Sequence, residues 1–125
     1  MPSKREKTRY NKKELAVFDK LIDKKLNQAT EQLEFYLNQL QELADNPDSK
    51  IKGLDDGVST VESERLSTLA SRQRKLIQHL DNAKIRIKNN AYGVCRVTGK
   101  LISKERLMAV PHATLTIEAK QVQRR

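Results

Sequence analysis

No tryptophan occurs in the 125 residues, aromatic side chains make up 4% of them, and there is one cysteine, Cys95. A lone cysteine excludes an internal disulfide and points to a reducing compartment. No apolar run approaches the ~20 residues of a membrane span, and the first residues carry no apolar signal core. These absences make a soluble, cytoplasmic protein the expectation. A thick globular core is excluded too, because apolar residues are 37% of the chain and charged residues 33%. Missing as well is any catalytic constellation: no activated nucleophile, no paired histidines and no glycine-rich phosphate loop stand in the sequence, so an enzyme is not expected.

What is present is charge and helical period. The formal charge is +9, with a pI near 9.8, which favours polyanionic surroundings such as nucleic acid, a nucleoprotein machine or an acidic protein face. Lys4, Arg5, Lys7, Arg9, Lys12 and Lys13 crowd the N-terminus, whereas Asp45, Asp48, Asp55 and Asp56 gather mid-chain. Residues 1–11, polar and without period, read as a mobile basic arm.

Two apolar stripes follow. Leu15, Phe18, Ile22, Leu26, Ala29, Leu33, Tyr36, Leu40 and Leu43 recur at steps of three and four, with one extra four-step near Ile22 that reads as a stutter. Leu66, Leu69, Gln73, Leu76, Leu80, Ala83 and Ile87 repeat the pattern. Each stripe covers one partner helix and no more. Asn11 and Glu14 form a capping box for the first helix, and Ser59 and Glu62 one for the second. Pro47, Gly53 and Gly57 forbid a continuous helix between them. The expectation is a long antiparallel helical hairpin, a coiled coil over residues 12–90 with its tip at 45–59. The second helix carries Arg65, Arg72, Arg74, Lys75, Lys84, Arg86 and Lys88 on its outer side.

Gly93 reads as the left-handed stop of the second helix. Residues 94–102 read as a small hairpin turning at Thr98-Gly99. Ser103 caps a short helix to Ala109, and a last helix is expected from Ala113 to about Val122. Such a segment, residues 91–125, is too small to stand alone. It is expected to lean on Ile85, Ile87, Ala91 and Tyr92, packed through Leu101, Ile102, Leu107, Met108, Leu115 and Ile117. The fold class is therefore mainly α, with a small C-terminal α+β knob.

The stretch Ala91-Tyr92-Gly93-Val94-Cys95-Arg96-Val97-Thr98-Gly99-Lys100-Leu101-Ile102, then Arg106-Leu107-Met108-Ala109-Val110-Pro111-His112-Ala113, resembles the C-terminal module of the DksA/TraR family of bacterial regulators. With the hairpin before it, the resemblance covers about residues 12–121. It implies a monomer that binds RNA polymerase, core or holoenzyme, inserting its hairpin into the secondary channel without recognising DNA sequence. Four cysteines hold a structural zinc in that family. Here Cys95 is kept, while Thr98, Thr116 and Ala119 stand in the other three places. A hydroxyl and a methyl do not complete a tetrahedral structural site; a degenerate, metal-free finger is expected, with Thr98 and Thr116 hydrogen-bonded across it and Cys95 a small buried hydrophobe.

The same resemblance places a family tip aspartate on Asp55, with Asp56 and Gly57 beside it and Lys52 where another aspartate is usual. It makes Arg72, with Lys75 nearby, a polymerase contact. Residues of the family's site for the alarmone (p)ppGpp fall on His79, Val110 and Lys120, a remnant with one permanent cation, so weak or absent coupling is expected. The rival from another class is a basic coiled coil that binds nucleic acid or oligomerises. Steep salt dependence on bare duplex would mark it.

Overall fold

A computed structural model of the chain describes residues 9–45 and 56–124, without the side chains of 56–59 and 124. Four helices account for most of it: α1 (Lys12–Asp45), α2 (Asp56–Lys88), α3 (Lys104–Ala109) and α4 (Ile117–Arg124). The described residues contain no strand; the expected hairpin contributes a single antiparallel bridge, Val94 to Leu101. The knob is thus helical with a bridged turn rather than α+β. Two compact units make up the chain, Leu26–Gln78 in one and Met1–Lys25 with His79–Arg125 in the other.

Both apolar stripes are realised. All nine positions of the first and all seven of the second are buried or half-buried, while the exposed positions between them are mostly charged or polar, with Val17, Phe35, Leu37 and Ile85 as large apolar exceptions. α1 opens on the reciprocal box: the Asn11 N–H donates to Glu14 Oε1 at 3.0 Å and the Glu14 N–H to Asn11 Oδ1 at 2.9 Å. Two otherwise orphaned amides are satisfied at once. α2, however, already includes Asp56–Ser59, so the Ser59 box lies inside the helix and the tip is shorter than 45–59. Lys52 and Asp55 lie outside the described residues, as do residues 1–8 of the basic arm.

The end of α2 is set by Asn90 rather than Gly93. Asn90 takes φ +58, its N–H donates to Ile87 O at 3.1 Å, and the Ala91 N–H reaches Arg86 O at 2.9 Å. That double bond is the Schellman closure. Gly93 (φ +81) serves a different need, a close approach: a Cβ there would stand 2.6 Å from two ring carbons of Tyr10.

Tyr10 overturns the expectation of a free arm through residue 11. It is 6% exposed, its hydroxyl donates to Ile102 O, and its ring meets Phe18 edge-on at 5.2 Å. Phe18 in turn packs on Tyr92 at 5.4 Å. Tyr10, Phe18 and Tyr92 therefore form one cluster, in a unit where Ile22, Ile102 and Leu107 are fully buried. Each ring buries a large area plus the ring-pair term, about 0.5–1.5 kcal/mol per pair. Arg9 adds a 3.3 Å bond to Asn90 O. Lys84 on α2 pairs with Asp19 at 3.3 Å and with Asp23, both on α1, which fixes the antiparallel register in this unit.

α3 begins at Ser103, whose Oγ accepts from the Arg106 N–H at 3.2 Å. α4 begins at Ile117, four residues later than the sequence suggests, with Thr116 Oγ1 accepting from the Ala119 N–H at 3.2 Å. Met108 and Ile117, expected in the packing, are about half exposed, as is Ile85.

Candidate functional site

Two places in the unit that holds the C-terminal segment bring together residues of chemical interest. The first is the degenerate metal site. Cys95 lies 1% exposed at the base of the Val94–Leu101 turn, with its N–H on Lys100 O at 2.8 Å and its carbonyl accepting from Gly99 at 2.9 Å. Thr116 Oγ1 approaches Cys95 Sγ at 3.9 Å. Thr98 Oγ1 accepts from the Lys100 N–H at 3.2 Å, and Ala119, buried, closes the cluster through its bond to Thr116. All four degenerate positions therefore converge.

The two threonines do part of what a metal-bound sulfur does for the backbone, since each accepts an amide N–H of its own turn. The donor set is one thiol, two hydroxyls and a methyl, which does not fit a tetrahedral structural zinc. Among the described residues no group of three or more His, Cys, Asp or Glu could hold a metal. Burial raises the Cys95 thiol, but the Thr98 hydroxyl and the backbone amides of Thr116, Thr98 and Val97 outweigh it, bringing it down to about 6. Cys95 is buried as expected, yet held in a polar nest rather than as a plain hydrophobe.

The second place is a cavity of about 360 Å³ between α2, α3, the 110–115 loop and α4. His79, Val110 and Lys120 all line it. Arg86 and Arg106 line it too; the sequence puts Arg86 on the outer side of α2 and Arg106 in the family stretch, and neither is among the alarmone positions that the resemblance marks. Arg86 donates to His112 O at 3.3 Å, and Arg106 Nε to Leu115 O at 2.8 Å. His112 stacks on His79 with centroids 5.5 Å apart and planes 10° from parallel. Burial, then His79, Arg86 and Arg106, push the His112 imidazole below its ordinary range.

In the other unit Arg72 and Lys75 are exposed on α2. Asp56 and Gly57 sit in the first turn of α2, their side chains outside the description along with Asp55. Glu62 and Arg65 pair at 2.8 Å, so Arg65 is not a free cation of the outer face. No described helix is long and apolar enough to cross a membrane.

Residues 90–125 match the model of the prokaryotic dksA/traR C4-type zinc finger. The chain is 31% identical over 105 residues to general stress protein 16O of Bacillus subtilis, spanning 82% of this chain and 63% of that protein. It is 46% identical over 50 residues to the RNA polymerase-binding transcription factor DksA of Caulobacter vibrioides, spanning 40% and 35%. It thus spans less than two thirds of the curated relatives it matches. Transcription factor DksA2 of Pseudomonas aeruginosa has the same fold, with a TM-score of 0.85 at 24% identity over 98% of this chain and 92% of that one.

Proposed function

We propose that the chain is a member of the DksA/TraR family, whose zinc-finger model matches residues 90–125, and that, like the Caulobacter vibrioides relative named for it, it is a transcription regulator that binds RNA polymerase. It acts without catalysis, as a monomer, and without reading DNA sequence. The hairpin enters the secondary channel and changes the lifetime of promoter complexes. Supporting this most directly is the presence, in one chain, of a match to the family's C-terminal module and two helices of 34 and 33 residues. Helices of that size are about 50 Å long, a length that suits a recess closed to a globular face.

At the tip, Asp55 and Asp56 perturb a catalytic metal or a basic loop by charge. Arg72 and Lys75, exposed on α2, contact the polymerase. The C-terminal module is metal-free. Of the alarmone positions that the resemblance marks, His79, Val110 and Lys120, only Lys120 is a permanent cation, and Arg86 and Arg106 each spend a guanidinium N–H on a loop carbonyl, so (p)ppGpp couples weakly or not at all.

The test is a pair of variants in a purified transcription system. Asp55→Asn with Asp56→Asn abolishes the effect on initiation while affinity for polymerase persists. Arg72→Ala weakens affinity, by about 1–3 kcal/mol if the contact is charge-assisted. Equal loss of binding in the aspartate double variant would make the tip an anchor. Tight, steeply salt-dependent binding to bare duplex would favour the nucleic-acid coiled coil instead.

A further inference from the structure

The chain has two histidines, and both are spent on one contact. His79 lies exposed on α2; His112 is half-buried on the 110–115 loop, with Nδ1 buried and without a hydrogen-bond partner among the described residues. The loop carries almost no regular structure of its own and is held by its carbonyls. Tyr92 donates to Pro111 O at 2.6 Å, Arg86 to His112 O at 3.3 Å, the Arg96 N–H to Thr114 O at 2.9 Å, and Arg106 to Leu115 O at 2.8 Å. Two of these four anchors are guanidiniums that also face the His112 ring.

Every charged or titratable group lining the cavity is a base: His79 and Arg86 from α2, Arg106 from α3, His112 from the loop and Lys120 from α4. No carboxylate lines it. We propose that the His79–His112 stack is a proton-sensitive latch, which holds the 110–115 loop on α2 while the His112 ring is neutral and releases it on acidification. A proton on His112 meets no carboxylate among the residues that line the cavity. It repels Arg86 and Arg106, and these are the groups that fasten the loop on either side.

The sign follows from linkage. A base disfavoured as a cation in the folded state binds protons more readily when the loop is open, so closure strengthens with rising pH and weakens as pH falls below the ordinary imidazole range, about 6.5. The latch does not depend on the polymerase reading, and its test uses the free, full-length chain.

Amide exchange of Arg96 and Ala113, both bonded to this loop, is measured between pH 7.5 and 5.5 and corrected for intrinsic pH dependence. Protection falls at least about threefold in the native protein. His112→Gln, which keeps a polar side chain but cannot titrate, removes that pH dependence. Carbon-detected titration of the two imidazoles in the native protein gives a reading that needs no variant: His112 titrates below the ordinary range. His79→Gln, at an exposed site, moves His112 upward. Ordinary or raised titration of His112, or an unchanged pH response in His112→Gln, overturns the proposal.

Discussion

Replacing Gly93 by alanine tests the base of the fold more sharply than any core truncation. Two penalties combine at that position. Its φ of +81 is left-handed, which costs a side-chain-bearing residue about 1–2 kcal/mol. The new Cβ also lies 2.6 Å from Tyr10 Cδ2 and Cε2 and 3.4 Å from Leu107 Cδ1, and such overpacking costs about 1–3 kcal/mol. Gly99 is the internal control, with φ +73 and nothing within 4 Å of its Cβ position. Gly99→Ala therefore carries the first penalty alone, and Gly93→Ala should be less stable than Gly99→Ala by about 1–3 kcal/mol.

Thermal unfolding followed by circular dichroism resolves that gap, which corresponds to about 3–6 °C per kcal/mol for a chain of this length. In a Tyr10→Ala background the clash is gone, and Gly93→Ala should then cost no more than Gly99→Ala does. Equal costs in the native background, or an extra cost that survives removal of the Tyr10 ring, would refute the seating of Tyr10 against the 93–102 turn.

The remaining expectations are smaller or chemical. Lys84→Ala removes pairs to Asp19 and Asp23 that are partly exposed; it should cost about 0.5–1 kcal/mol in urea unfolding at low salt and almost nothing at 1 M salt. Protein purified with zinc in the medium should contain far less than one equivalent by elemental analysis, and a chelator should leave its melting temperature unchanged. A stoichiometric, stabilising zinc would mean that the threonine-bearing site recruits ligands the donor chemistry does not suggest.

Much of the architecture is legible in the sequence because it rests on period and local caps. The stripes through Leu15–Leu43 and Leu66–Ile87 need only a partner helix to be buried, and Asn11 and Ser103 cap helices through bonds to residues three positions on. What is not legible depends on distant contacts. Tyr10 sits in a basic stretch without period, yet it is the residue before the Asn11 cap, with Leu15 at the fourth helical position, the spacing of a hydrophobic staple. That signal was available. The early start of α2 was hidden because a serine and threonine near a helix start look like a cap even when the helix already includes them. In the sequence Thr116 stands as a lost metal ligand; in the structure it caps α4, which therefore starts four residues later than expected. For the candidate site, His79 and Lys120 could be picked out by resemblance. Arg86, Arg106 and the His79–His112 stack come together only through the loop's tertiary anchoring.

The measurement closest to the proposed function is photo-crosslinking from the tip. A benzophenone side chain placed at Ser59, in the first turn of α2, is irradiated in the presence of core RNA polymerase, and the crosslinked peptides are identified. Insertion into the secondary channel gives adducts on segments that surround the polymerase catalytic centre, lost on competition with another channel-binding factor. Adducts confined to the outer surface, or none under conditions where the two proteins co-elute, would contradict it.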